Sequence, residues 1–151
     1  MTVSAAYLVQ STKERDPFEW TPEFSRRARG FAIYAALKYL GRNGVRDLVE
    51  RCCARAQQMA ELLRRQGGVE ILNDVVLNQV LVRFHNSDDE TRAVIARVQQ
   101  DGTCWLGGTT WHNLAAMRIS VSNWSTSEKD IELSAQAILR FAEVATQSAA
   151  R

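Results

Sequence analysis

Apolar residues recur every three or four positions in several stretches of this chain and alternate with polar ones in others, so helices and strands can be assigned from spacing alone. The first twenty residues mix Ser11, Thr12, Lys13, Glu14, Arg15, Asp16 and Pro17 with few apolar anchors and read as a loop. Thr21-Pro22-Glu23 has the chemistry of a helix start: a hydroxyl cap, a proline where no amide partner is lost, and a carboxylate at the positive dipole end. It predicts a helix to about Leu40, and residues 31–37 are apolar almost all round, which implies burial on several sides and a partner surface. Gly41 and Gly44 bracket a short turn, after which Val45, Leu48, Val49, Cys52, Ala56, Met59 and Leu63 mark a second, amphipathic helix ending at Gly67-Gly68. Residues 69–74 and 77–84 follow as a strand hairpin, with Val80, Val82 and Phe84 on one face and Leu81 and Arg83 on the other.

Ser87-Asp88-Asp89-Glu90 is a capping-box pattern opening a helix that carries Val94, Ile95 and Val98 and stops at Asp101-Gly102. Residues 103–106 and 116–122 are two further strand candidates, and Ser127-Glu128-Lys129-Asp130 caps a last helix with Ile131, Ala135, Ile138 and Ala142 inward. The order is loop, two helices, two strands, helix, two strands, helix. It defines an α/β fold with a small, mainly antiparallel sheet, a class that by itself leaves function open.

Composition narrows the field. At 151 residues, with 46% hydrophobic and 24% charged residues, the chain matches an ordinary globular domain rather than a disordered or fibrous one. A net charge of +2 with both signs interspersed offers no extended basic field, which excludes nucleic acid as the expected partner. No segment approaches a membrane span and the start lacks a basic n-region before an apolar core, so the expected setting is cytoplasmic. Cys52, Cys53 and Cys104 are odd in number and two are adjacent, which fits reduced, buried thiols better than disulfides or zinc ligation.

Few residues carry candidate chemistry. In Met117-Arg118-Ile119-Ser120-Val121-Ser122, alternation places Met117, Ile119 and Val121 on one face and Arg118, Ser120 and Ser122 on the other. Arg118 can there offer its planar fork to a carboxylate through paired hydrogen bonds, or stand as an ordinary exposed strand arginine. His85 and His112 have no second ligand at metal-binding spacing. Leu106-Gly107-Gly108-Thr109-Thr110 does not lead from a strand into a helix as a phosphate cradle requires, and reads as a tight loop. Trp105, Trp111 and Trp124 offer rings that can stack on a ligand or meet a partner surface, but tryptophans beside strands are more often packing, and the core is their expected place. Arg26, Arg27 and Arg29 put positive charge at the positive end of the first helix, which points to an acidic partner or to structural ion pairs. Tyr7 is, by local criteria, a loop anchor.

Two ordered stretches resemble the group II pyridoxal-phosphate-dependent decarboxylases, a family that includes glutamate, aromatic amino-acid and histidine decarboxylases. One is Tyr7-Leu8 followed by a polar loop, Trp20, and Ser25-Arg26-Arg27-Ala28-Arg29 entering an apolar helix that closes on Tyr39-Leu40-Gly41. The other is Met117-Arg118-Ile119-Ser120 with Asn123 and then Ser127-Glu128-Lys129-Asp130-Ile131, where threonine is more usual at the position of Ser127.

The resemblance implies the aminotransferase-like fold, with this chain as its C-terminal small lobe: a mobile catalytic-type loop over residues 1–20, then the small domain and its leading helix over residues 21–151, the large cofactor-binding domain being absent. It implies pyridoxal phosphate as cofactor, an amino acid as substrate, and a homodimer or the missing large domain as partner. By the same resemblance Tyr7 is the catalytic tyrosine that protonates the substrate after carbon dioxide leaves, and Arg118 holds the substrate carboxylate. The family's Schiff-base lysine follows a histidine; Lys13, Lys38 and Lys129 do not, so no cofactor-binding residue is assigned and the segment is expected to be inactive alone. The alternative is a free-standing α/β module for small-carboxylate binding or dimerisation.

Overall fold

The computed structural model describes residue 20 and residues 27–149, with side chains as far as residue 143. The chain divides into two units, Met1–Gly41 and Arg42–Arg151. Helix α1 (Arg29–Arg64) has a segment in each and is broken at Gly41, whose φ of 63° and ψ of −175° are far from helical. Only a residue without Cβ takes that conformation readily. The expected turn between Gly41 and Gly44 therefore shrinks to a single residue, and Gly44 is helical. The cap at Thr21-Pro22-Glu23 lies outside the described residues, but Arg27 and Ala28 are not helical, so no continuous helix runs from Thr21 to Leu40. In the first unit Phe31, Ile33, Tyr34 and Leu37 are all more than half exposed, so no described element of this chain covers the apolar stretch.

In the second unit the sheet has the order β1-β2-β4-β3 and every pairing is antiparallel. Its strands are β1 (Val69–Ile71), β2 (Gln79–Phe84), β3 (Gly107–Trp111) and β4 (Leu114–Ser120). The first hairpin forms as expected, with Val69 opposite Phe84 and Ile71 opposite Val82. The second differs from expectation. Residues 103–106 are not a strand, and the supposed tight loop at Gly107-Gly108 is the beginning of edge strand β3. Thr109, Thr110 and Trp111 are residue types that suit a pleated surface, and their preference carries the two glycines into the strand. His112 and Asn113, with φ of 47° and 64°, close a two-residue turn between Trp111 and Leu114.

Helices α2 (Asp88–Asp101) and α3 (Glu128–Ala149) complete the unit. At α2, Ser87 accepts the Glu90 amide at 3.3 Å, and Gly102 ends the helix at φ 78° with its N–H on the Val98 carbonyl. The α3 box is reciprocal: the Asp130 amide donates to Ser127 Oγ at 3.3 Å and the Ser127 amide to Asp130 Oδ2 at 2.8 Å. One core joins Met59 and Leu63 of α1, Val80, Val82 and Phe84 of β2, Met117 and Ile119 of β4, Val94 and Val98 of α2, and Ile131 and Ile138 of α3. Full burial of side chains of this size contributes about 1.5–3 kcal/mol each. Val80 pairs with Ile119 and Val82 with Met117, so these core side chains share one sheet face, which the helices cover, and the other is left to Gln79, Leu81, Arg83, Ala116, Arg118 and Ser120.

The β2–β4 ladder stops after Val82 opposite Met117. The first turn of α2 takes over the next two amides: Phe84 N–H donates to Thr91 Oγ1 at 3.1 Å and Ala115 N–H to Asp88 Oδ1 at 3.1 Å. Asp88 also pairs with Arg83 at 2.5 Å, and the Arg83 side chain is only 6% exposed. These bonds satisfy buried backbone donors where the strands part and fix the helix against the sheet.

Candidate functional site

Arg118 sits near the middle of β4 on the helix-free face, opposite Leu81 of β2 on one side and Gly107 of β3 on the other. It is exposed, while Met117 and Ile119 beside it are buried, as alternation predicts. The two arginines of this sheet face differ in use. Arg83 is buried, with Nη1 on Asp88 and Nη2 on the Asn86 carbonyl at 3.0 Å. Arg118 makes no hydrogen bond or ion pair among the described residues, so its planar fork of donors is free for an anion. Gly107 leaves the β3 side of that fork clear, because a Cβ built there meets nothing within 4 Å. This partnership was missed from sequence, where Gly107-Gly108 read as a turn; the strand-forming run of Thr109, Thr110 and Trp111 was the available signal.

Other candidates do not gather around Arg118. Tyr7 and Arg26 lie outside the described residues. Arg27 and Arg29 are exposed and make no ion pair among the described residues. His85 and His112 each occupy the first position of a turn with positive φ, 50° and 47°, a backbone role that accounts for both. No cluster of metal-ligating side chains occurs among the described residues. All three cysteines are free, but only Cys52 is buried; partial burial pushes the Cys104 thiol up, against a hydrogen bond with Ser134, so it stays protonated near neutral pH. The tryptophans expected in the core are at the surface, Trp105 80% and Trp124 74% exposed, with Trp111 at 42%. Indole keeps a polar N–H that needs a partner or water, and these loop and edge positions provide water.

Lys38 on α1 and Lys129 in the first turn of α3 are both exposed on helix surfaces. Neither follows a histidine. The second unit supplies a sheet with helices on one side and, on the other, a guanidinium that makes no hydrogen bond or ion pair among the described residues.

A lobe of this fold occurs in pyridoxal-phosphate decarboxylases of known structure. Oryza sativa TDC with PLP and tryptamine superposes with a TM-score of 0.73 at 16% identity, covering 85% of this chain and 29% of that one. The glutamate decarboxylase domain of a diaminobutyrate-pyruvate transaminase and L-2,4-diaminobutyrate decarboxylase from Vibrio parahaemolyticus gives 0.63 at 21% identity, over 74% and 25% of the two chains. In sequence, the aromatic-L-amino-acid decarboxylase of Drosophila lebanonensis is 25% identical over 124 residues, 82% of this chain. The model of the pyridoxal-dependent decarboxylase conserved domain matches residues 1–85, more than half of the chain. The chain belongs to the pyridoxal-dependent decarboxylase family, whose cofactor is pyridoxal phosphate. It spans 31% of the Drosophila relative and 29% of the rice structure. Tyr7 falls within the residues matched by the family model, and Arg118 lies beyond them.

Proposed function

We propose that this chain is the carboxyl-terminal segment of an amino-acid decarboxylase, in which Arg118 holds the substrate carboxylate and Tyr7 donates the proton that replaces carbon dioxide. The observation that carries the reading is the exposed, unengaged Arg118 on the helix-free sheet face of a chain belonging to this family. An arginine fork binds a carboxylate in paired, charge-assisted bonds, and those fix orientation as well as affinity. The Tyr7 phenol, with a reference pKa of about 10, keeps its proton at neutral pH and can act as a general acid. The chemistry of the breaking bond belongs to the cofactor, and the lobe that carries the cofactor lies outside this segment.

On this reading the 1–20 loop and the 21–151 small domain act on a large cofactor domain, in a homodimer or with a separate polypeptide, in the cytoplasm. The exposed apolar residues of the first α1 segment support a partner that covers them, and the three free thiols support a reducing compartment. No described helix is long and apolar enough to cross a membrane. The test has two arms. The pure chain with pyridoxal phosphate and carboxyl-labelled amino acids releases no labelled carbon dioxide; release would overturn the assignment of catalysis to a missing lobe. In the complete enzyme, Tyr7→Phe lowers amine formation about 10²–10⁴-fold, the usual worth of a positioned proton donor; wild-type turnover would remove Tyr7 from the mechanism.

A further inference from the structure

We infer that Gly107 determines how a carboxylate reaches Arg118: it keeps the β3 side of the guanidinium open, and the substrate enters across it. The inference rests on the assignment of Arg118 as the carboxylate-binding residue and adds the direction of approach and the residue that controls it.

Arg118 has one cross-strand neighbour on each side, and they are unlike. Leu81 on β2 is a branched side chain only 7% exposed, so that side is filled. Gly107 on β3 has no side chain, and a Cβ there would touch nothing within 4 Å. Cross-strand partners place their Cβ atoms about 4.5–5.5 Å apart on the same face, so any side chain at position 107 would lie along the arginine stem. Among the described residues β3 is an edge strand, bonded on one side only, and no further strand lies beyond it. The next pair along the hairpin on this face is Thr109 with Ala116, also small.

The glycine is not there for its backbone. Positive φ among the described glycines is confined to Gly41, Gly68 and Gly102, so position 107 accepts any L residue without strain. A strand glycine without a conformational reason often marks a place where a ligand or another backbone comes close, and valine there should, if anything, favour the strand.

A tethered carboxylate tests the geometry in the full chain. Gly107→Glu places an acid beside Arg118, and Gly107→Gln places the neutral isostere. Arginine modification by phenylglyoxal, followed residue by residue by peptide mass mapping, should be several-fold slower at Arg118 in Gly107→Glu than in Gly107→Gln. Exposed Arg92 should be unchanged, and the difference should shrink in high salt. Equal rates at Arg118 would show that position 107 does not face the fork and would overturn the inference whatever Arg118 does. In the complete enzyme, Gly107→Val should raise KM for the amino acid by about tenfold, the loss of roughly one good polar contact, with kcat little changed; Gly107→Ala should fall between. If Arg118→Lys raises KM and Gly107→Val does not, the route across Gly107 is wrong and the Arg118 assignment stands. If neither changes KM, the Arg118 assignment falls too.

Discussion

Thr91→Val isolates a single buried bond that joins α2 to the sheet. Thr91 is fully buried, and its Oγ1 accepts the Phe84 N–H at 3.1 Å while donating to the Ser87 carbonyl at 2.7 Å. Valine keeps the volume and the β-branch, so packing changes little. The Ser87 carbonyl retains a donor in the Thr91 amide at 3.1 Å. The Phe84 amide does not: the β2–β4 ladder has ended at Val82, and Phe84 is itself fully buried. One buried N–H is left without a partner, which costs about 1–3 kcal/mol. For a unit of this size that is a fall of roughly 4–15 °C in Tm, and a lower urea midpoint with an unchanged slope. Thr91→Ser keeps the hydroxyl and loses one methyl, so its cost should come from packing alone, about 1 kcal/mol. A Thr91→Val protein as stable as wild type would refute the claim that α2's first turn completes the ladder.

Two further outcomes follow from the same structure. Gly68 has φ 80° and a Cβ there would meet the His85 ring, so Gly68→Ala should destabilise by at least about 1–2 kcal/mol in urea denaturation; an unchanged midpoint would contradict the turn geometry. Three carboxyls are held below their ordinary value of 3.8: Asp88 chiefly by the Ala115 amide, Asp101 by the Thr103 hydroxyl and Asp130 by the Ser127 hydroxyl. A carboxyl with a lowered folded pKa stabilises the fold above its unfolded pKa and loses that contribution as pH falls through the folded one. Tm should therefore hold above about pH 4 to 5 and decline below it, with the decline shallower in Asp130→Asn; a Tm flat down to pH 2.5 would contradict this.

The parts of the fold that could be read from sequence are those where local pattern and tertiary packing agree. Ser127 and Asp130 cap α3, Ser87 caps α2, and the alternation of Val80, Val82 and Phe84 places those side chains in the core. The errors arose where one signal had two meanings. Glycine reads as a turn marker at 44 and 107, yet Gly44 rides in a helix and Gly107 in a strand, because their neighbours supply the propensity. The true turns carry His85-Asn86 and His112-Asn113, where positive φ falls on residues other than glycine. Aromatic rings were assigned to the core, but Trp105 and Trp124 stand on loops that no described element covers. Arg118 was legible as outward-facing from alternation. Its contrast with Arg83, which lies on the same sheet face of the neighbouring strand but is buried against Asp88, needed the fold.

The central claim, that this lobe presents Arg118 to the substrate carboxylate, is tested most directly by substrate binding to the complete enzyme carrying Arg118→Lys. Lysine keeps the charge and the exposed position but replaces a planar fork with a point donor, so the lobe should melt within a few degrees of wild type. Equilibrium titration with the amino-acid substrate, followed by the cofactor's absorbance, should then give a Kd raised at least about tenfold, the scale of one charge-assisted bond. Wild-type affinity in a folded Arg118→Lys enzyme would contradict the account.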